Sequence, residues 1–121
     1  MKRSLLTLAR SPLGALIVGV AFERCSKILP VNRVYETDLV LAFRHPKPYW
    51  AEHILIVPKK AIKSLQELKP EDQQYLTKSF HVAQKIINQR THNNAYQLIL
   101  NGGNRQEVTQ LHIHLGFGKT V

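Results

Sequence analysis

Residues 110–116 read Gln-Leu-His-Ile-His-Leu-Gly, and the interpretation of the whole chain starts from this stretch. Polar and apolar residues alternate in it, which is the pattern of a half-buried β-strand. Successive side chains of a strand point to opposite faces, so Gln110, His112 and His114 are expected to share one face. We therefore predict a strand over Leu111–Phe117, with two imidazoles about 6–7 Å apart along its backbone.

The two histidines allow three interpretations. They can be structural residues whose polar atoms are satisfied within the fold. They can bind a metal together with His53, although zinc takes at least three protein ligands and no carboxylate stands at a clear spacing. They can also act on a phosphate, because a neutral imidazole is a nucleophile near pH 7 and a neighbouring imidazolium can hold phosphate oxygens. The third interpretation is favoured, since folding alone does not require two histidines there.

A glycine-rich turn, Asn101–Asn104, precedes this strand. Gly102 and Gly103 allow the backbone to approach a ligand closely, and N–H groups in such turns can surround an anion. A simple tight turn is the alternative. Beside the histidine strand, we interpret the segment as one wall of a phosphate pocket.

The rest of the chain predicts an α+β fold with an antiparallel sheet of about five strands. A long helix follows Pro70, where Glu71 and Asp72 complement the helix dipole. A first helix is expected over Leu13–Lys27, with Ser11 as N-cap and Pro12 in its first turn. The other predicted strands are Val31–Tyr35, Leu39–Phe43, His53–Val57 and Tyr96–Leu100, and the apolar stripe of the long helix is Leu76, Phe80, Ala83 and Ile87.

Length and charge limit the function classes. The chain has 121 residues, which fits one domain, divided here into an apolar, basic N-terminal segment (1–30) and a main part (31–121). Its net charge of +9 favours nucleotides, nucleic acid or an anionic membrane as partners. The apolar run 13–22 is too short to cross a bilayer, which takes about 20 residues, but membrane contact stays open. Cys25, the one cysteine, allows no internal disulfide, and we expect a reducing, cytoplasmic location.

Several segments in the same order resemble the histidine-triad (HIT) family of nucleotide-binding proteins. Polar-x-His-x-His on a final strand after an Asn/Gly/Gln turn is the first point of resemblance. Residues 34–43 are similar to the first hairpin of that family, and residues 53–60 to its histidine-containing strand with a Pro-Lys exit. The resemblance covers roughly Tyr35 to Phe117 and implies a HIT-like fold.

The resemblance also implies roles for individual residues. His112 would attack the α-phosphorus and form a nucleotidyl-histidine intermediate that water hydrolyses. His114 would bind the phosphate oxygens, and His53 would act as a hydrogen-bonding relay. Asn101 and Gln106 would line the ribose and phosphate region. This chemistry requires no metal or other cofactor, and members of the family usually form homodimers.

Three positions depart from the family pattern. Gln110 replaces the first histidine of the triad and cannot carry a proton, so the acid–base part is expected to weaken. Glu107 stands where a serine or threonine helps the leaving group. His45 stands where an acidic residue holds the ribose hydroxyls. Both are retained as substrate-binding candidates, together with Gly103.

We therefore expect a hydrolase or nucleotidyl transferase acting at the α-phosphate of a purine nucleotide conjugate. Suitable substrates are a phosphoramidate, a dinucleoside polyphosphate or an adenylylated group. One alternative is a nucleotide-binding, regulatory module with little turnover. Another is removal of adenylate from nucleic-acid ends, which the positive net charge of the chain favours.

Overall fold

The computed structural model of the chain describes residues 12–22, 29–90 and 95–121. The predicted N-cap Ser11, Cys25 and the last part of the predicted first helix lie outside these residues. Within them, no helix is both long enough and apolar enough to cross a membrane.

Two helices and five strands make up the described fold. The helices are α1 (Pro12–Ala21) and α2 (Gln73–Asn88); the strands are β1 (Arg33–Glu36), β2 (Val40–Arg44), β3 (Trp50–Pro58), β4 (Tyr96–Ile99) and β5 (Ile113–Thr120). Short 3-10 turns lie at Leu65–Glu67, Pro70–Asp72 and Gly103–Arg105.

All five strands form one antiparallel sheet in the order β1-β2-β3-β5-β4. The predicted fold class, α+β with an antiparallel sheet, one long helix and an N-terminal helix, is confirmed. β3 and β5 are adjacent at the centre of the sheet although α2 and β4 separate them in the chain. The register places Leu55 opposite His114 and His53 opposite Gly116.

One face of the sheet, which we call the α2 face, is covered by the long helix. Val82, Ala83 and Ile86 of α2 are at most 1% exposed and pack on aliphatic side chains of the sheet. Burying an aliphatic side chain of this size stabilises the fold by about 1.5–3 kcal/mol. The sheet residues of this core are Val40, Ala42, Ile54, Ile56, Ile113, Leu115 and Phe117.

The opposite face, which we call the α1 face, is packed differently. Ile17 and Val20 of α1 are fully buried, so part of the apolar N-terminal run is used in the core. They pack over one half of the face, against Leu41, Phe43, Leu55 and Val57.

An ion-pair cluster joins the end of α2 to the sheet. Glu52 accepts two hydrogen bonds from Arg90, both at 2.9 Å, and one from Arg44 at 2.7 Å. These bonds outweigh the effect of burial and lower the pKa of the Glu52 carboxyl. The cluster fixes the end of α2 beside the strand that carries His53.

The predicted apolar stripe of α2 is partly wrong. The buried side of the helix consists of Ser79, Val82, Ala83 and Ile86, whereas Phe80 is 49% exposed. Both stripes have helical spacing, so periodicity alone does not choose between them. Val82, Ala83 and Ile86 face the core of the sheet, and Phe80 lies on the side of α2 that faces away from it.

The predicted limits of the last strand also need correction. β5 begins at Ile113, so Gln110 and His112 precede it. The backbone of residues 110–112 instead bonds the segment after β3, where Leu111 N–H donates to the Ile62 carbonyl at 2.7 Å. At its other end β5 continues past Phe117, because Trp50 of β3 still pairs with Thr120.

Candidate functional site

Four histidines meet on the half of the α1 face beyond the residues on which α1 packs. His53 lies on the same face as Leu55 and Val57, because alternate strand residues share a face. His114 lies opposite Leu55 and therefore on that face as well. His45 follows β2 and His112 precedes β5. The sheet register thus explains how residues far apart in the chain are brought together.

The rings are in contact. His45 stacks on His53 with a centroid distance of 4.3 Å, and His53 lies 5.1 Å from His114. His112 packs edge-on against His114, also at 5.1 Å. His53 and His112 are 5% and 7% exposed. The structure therefore brings together three of the four predicted catalytic residues and adds His45 to them.

Hydrogen bonds assign the proton positions of His53 and His114. The backbone N–H of Tyr49 donates to His53 Nδ1 at 3.0 Å, so this nitrogen carries no proton. In a neutral imidazole the proton then sits on Nε2, which donates to His114 Nδ1 at 2.9 Å. His114 Nδ1 is thereby the acceptor, and His114 Nε2 carries a proton that it can donate to a ligand.

His112 has the opposite tautomer. Its Nδ1 lies 2.7 Å from the carbonyl oxygen of Gln110, which can only accept. The proton of His112 is therefore on Nδ1, and Nε2 keeps its lone pair. An imidazole in this state can attack an electrophile through Nε2.

The pKa values of all four imidazoles are lowered, which favours their neutral forms near pH 7 and corrects the expectation of an imidazolium beside the nucleophile. Burial, followed by the charge of His45, lowers the pKa of His53 to about 4. Burial and the three other histidines lower the pKa of His114 to about 3. Burial also lowers the pKa of His45 and of His112, and the bond to the Gln110 carbonyl only partly offsets this for His112.

Trp50 forms one side of the cluster. Its ring packs edge-on against His53 at 4.7 Å and is almost fully buried. The ring lies over Gly116, where a Cβ atom would overlap it. A groove of about 200 Å³ lies beside Trp50 and is also lined by Tyr96, Gln97 and Gly116. The sequence signal for this contact is the glycine two residues after His114.

The other predicted site residues lie outside the cluster of imidazoles. Gln106 donates through Nε2 to the carbonyls of Lys63 and Val108, at 2.6 and 2.9 Å. Asn101 comes two residues after Ile99, the β4 residue that pairs with His114. Gly103 has a φ of +56° and Glu107 is exposed. In the part of the chain that the structure describes, no contact joins these residues to the imidazole rings.

Gln110 does not lie in the imidazole cluster, which corrects the expectation that it shares a face with His112 and His114. Its side chain bonds the backbone of Ile62 and Lys60. It is nearly fully buried there, because residues 110–112 run along the segment after β3 and have not yet entered the sheet.

The metal-binding interpretation finds no arrangement to support it in the part of the chain that the structure describes. No group of three His, Cys, Asp or Glu residues there is disposed to hold a metal ion. The Nδ1 atoms of all four clustered histidines are engaged in hydrogen bonds.

Comparison with known proteins agrees with this fold. A histidine triad protein from Clostridium difficile superposes with a TM-score of 0.73 at 29% identity, over 93% of this chain and 95% of that one. A HIT family hydrolase from Legionella pneumophila superposes with a TM-score of 0.70 at 30% identity, over 77% and 86%.

Sequence comparison leads to the same family. The purine nucleoside phosphoramidase of Escherichia coli (strain K12) is 38% identical over 98 residues, which are 77% of this chain and 81% of that protein. The family model described as HIT domain matches residues 26–119. The chain therefore belongs to the HIT domain family.

Proposed function

We propose that the chain hydrolyses a purine nucleoside phosphoramidate, or a related nucleotide conjugate, at its α-phosphate. The observation that carries the proposal is the bond from His112 Nδ1 to the Gln110 carbonyl. It leaves the Nε2 lone pair available beside the Nε2–H of His114. A buried nucleophile next to a fixed hydrogen-bond donor is the arrangement that acyl and phosphoryl transfer require.

The first step forms a covalent bond. His112 Nε2 attacks the α-phosphorus, the P–Nε2 bond forms, and the bond to the leaving group breaks with its electron pair. The histidine of the adduct is positively charged, and its Nδ1–H keeps the bond to the Gln110 carbonyl. Water then attacks the phosphorus, and the P–Nε2 bond breaks with its electron pair returning to Nε2. The nucleoside monophosphate leaves, and the attacking water gives up its proton to solvent.

His114 acts as a hydrogen-bond donor in this scheme. Its Nε2–H binds a phosphate oxygen on which negative charge develops. Burial and the neighbouring histidines lower the pKa of His114 to about 3, which favours the neutral hydrogen-bond donor, and in this scheme an amine leaving group takes its proton from water. His53 fixes the tautomer of His114 and is in turn fixed by the Tyr49 backbone.

Substrate contacts outside the cluster belong to the same proposal. His45 Nδ1 accepts the backbone N–H of Lys47, so its Nε2 carries a proton that can meet a ribose hydroxyl or a phosphate oxygen. Asn101, Gly103, Gln106 and Glu107 are proposed to line the approach to the phosphate.

Homodimer formation is also a proposal. β4 is an edge strand, and both Tyr96 and Leu98 on it are exposed, at 51% and 36%. An exposed, apolar edge strand can pair with a second copy. Sedimentation at several protein concentrations tests this.

The decisive experiment is trapping of the covalent adduct. The protein is mixed with adenosine phosphoramidate, quenched in mild base, and analysed by intact mass and by peptide mapping. We expect a transient adenylyl adduct on His112 that is lost in His112→Asn. A matched control, His81→Asn, changes an exposed histidine on α2 and should keep the adduct. Binding of AMP without adduct or turnover would contradict the proposal and favour a binding module.

A further inference from the structure

The side chain of Gln110 makes a matched pair of hydrogen bonds with the main chain. Its Oε1 accepts the N–H of Ile62 at 3.1 Å, and its Nε2 donates to the carbonyl of Lys60 at 2.8 Å. The residue is 3% exposed. A primary amide presents a donor and an acceptor side by side, so it can satisfy both backbone groups at once. A carboxylate cannot donate, and an aliphatic side chain can do neither.

The same residue holds the nucleophile. Its own carbonyl oxygen accepts the Nδ1–H of His112 at 2.7 Å. The next residue, Leu111, donates its N–H to the Ile62 carbonyl at 2.7 Å. Three hydrogen bonds therefore fix residues 110 and 111 to residues 60–62, and the direction of the Gln110 carbonyl is set by them.

We propose that Gln110 is a positioning residue that fixes the reactive tautomer of His112. Its amide side chain holds the peptide whose carbonyl keeps the proton on Nδ1. The expected effect of Gln110 on the rate rests on the proposed function. Its expected effect on the tautomer of His112 is independent of that function. The inference also revises the expectation that Gln110 weakens the acid–base chemistry. The side chain of Gln110 contacts no imidazole, so its inability to carry a proton does not weaken the proposed reaction.

The cost of removing this amide follows from burial. Without the side chain, the Ile62 N–H and the Lys60 carbonyl lose their partners, and an unsatisfied buried group is destabilising. The peptide at 110 can then rotate away from His112. Once its carbonyl no longer accepts, the imidazole can move its proton to Nε2 and lose the nucleophilic lone pair.

The test compares Gln110→Met with Ser79→Ala. Methionine keeps the length of glutamine and removes both hydrogen bonds. Ser79 is fully buried on α2 and donates to the Tyr75 carbonyl at 2.8 Å, so its substitution removes a buried hydrogen bond on the α2 face. Imidazole ¹⁵N NMR reports the tautomer of His112, and phosphoramidate hydrolysis reports kcat.

We expect the wild type and Ser79→Ala to show the proton on His112 Nδ1. In Gln110→Met the Nε2–H tautomer should become populated, and kcat should fall by about 10- to 100-fold, the range in which partners of active imidazoles commonly act. An unchanged His112 tautomer in Gln110→Met overturns the proposal. Because NMR needs no substrate, that outcome differs from an absence of activity in the wild type, which concerns the proposed function.

Gln110→Glu provides a second readout, which can be measured even if Gln110→Met fails to fold. The protonated acid can accept from Ile62 and donate to Lys60, whereas the carboxylate faces the Lys60 carbonyl without a proton. Burial raises the pKa of such a carboxyl. We expect the kcat deficit of this variant, relative to wild type at each pH, to shrink as the pH falls from 8 to 6. A deficit that is constant over this range would contradict the role of the paired hydrogen bonds.

Discussion

The two faces of the sheet use the same strands for different purposes. On the α2 face, a helix of 16 residues packs against aliphatic side chains along the central strands. On the α1 face, a helix of 10 residues packs over four residues of β2 and β3, and histidines occupy the strand positions beyond them. Because strand side chains alternate, Ile54 and Leu115 point to one face and His53 and His114 to the other. The proposed chemistry is thus confined to the half of the α1 face that α1 does not cover, and substitutions there should separate it from the packing of the α2 face.

The largest expected effect is on the rate, from His114→Asn on the α1 face. Removing one fixed donor to a developing oxygen charge costs about 10³-fold in kcat, or about 4 kcal/mol. The asparagine carbonyl can still accept from His53, so the free energy of unfolding should change little. Steady-state phosphoramidate hydrolysis and urea unfolding measure the two quantities. His81→Asn is the control, and more than a tenth of wild-type kcat in His114→Asn would contradict the assigned role.

The converse is expected of Ile86→Ala on the α2 face. Ile86 is fully buried in the core under α2, and an Ile→Ala change there costs about 3 kcal/mol of unfolding free energy. The kcat of the folded protein should stay the same. Ile87→Ala, at a half-buried neighbouring position, should cost clearly less. A loss of kcat as large as the one expected for His114→Asn would show that the faces are not independent.

Lowering the pH should destabilise the protein through the α1 face. His53 and His114 have folded pKa values of about 4 and 3, below the ordinary value near 6.5. As the pH falls from 6.5 to 4.5, the unfolded chain takes up protons that the folded one does not. The free energy of unfolding should therefore decrease, by about 2 kcal/mol for each of the two imidazoles.

Urea unfolding at several pH values measures this decrease. The double variant His53→Gln/His114→Asn should reduce the slope clearly, the remainder coming from His45 and His112, whose pKa values burial also lowers, and His81→Ala should keep the whole slope. The carboxyls of Glu36, Glu52 and Asp72, whose pKa values are lowered, contribute mainly near and below pH 4.5. An equal slope in the double variant would contradict the assignment to these two histidines.

A smaller effect is expected from Gly116→Ala, which connects packing with the cluster. The added methyl group overlaps the Trp50 ring and must displace it from His53. Such overpacking should cost between about 1 and 2 kcal/mol. Trp50 is the single tryptophan of the chain, so its fluorescence reports the displacement. Gly102→Ala, where a methyl group meets only ordinary contacts, should change neither stability nor fluorescence.

Much of this division between faces could be predicted from the sequence. The alternation over residues 110–116 predicted two histidines on one face, and the continuous apolar run after His53 predicted a central strand. The order of strands and helices followed from the same patterns and from the resemblance to the HIT family. These features depend on local periodicity, which a sequence displays directly.

Other features depend on contacts between distant residues. Phe80 fits a helical stripe equally well whether it is buried or exposed, and only the fit against the sheet decides. The beginning of β5 is set by hydrogen bonds to residues 60–62, some 50 positions earlier. The stacking of His45 on His53 requires the loop after β2 to fold back over β3. No pattern within a single segment carries this information.

The first link of the histidine relay comes from the main chain. The donor to His53 Nδ1 is the backbone N–H of Tyr49, whose side chain is 59% exposed. Every amino acid except proline supplies the same donor. The amino acid at position 49 can therefore change without disturbing the proton on His53. A comparison of side chains would miss this residue, although the proposed catalytic tautomers depend on its backbone.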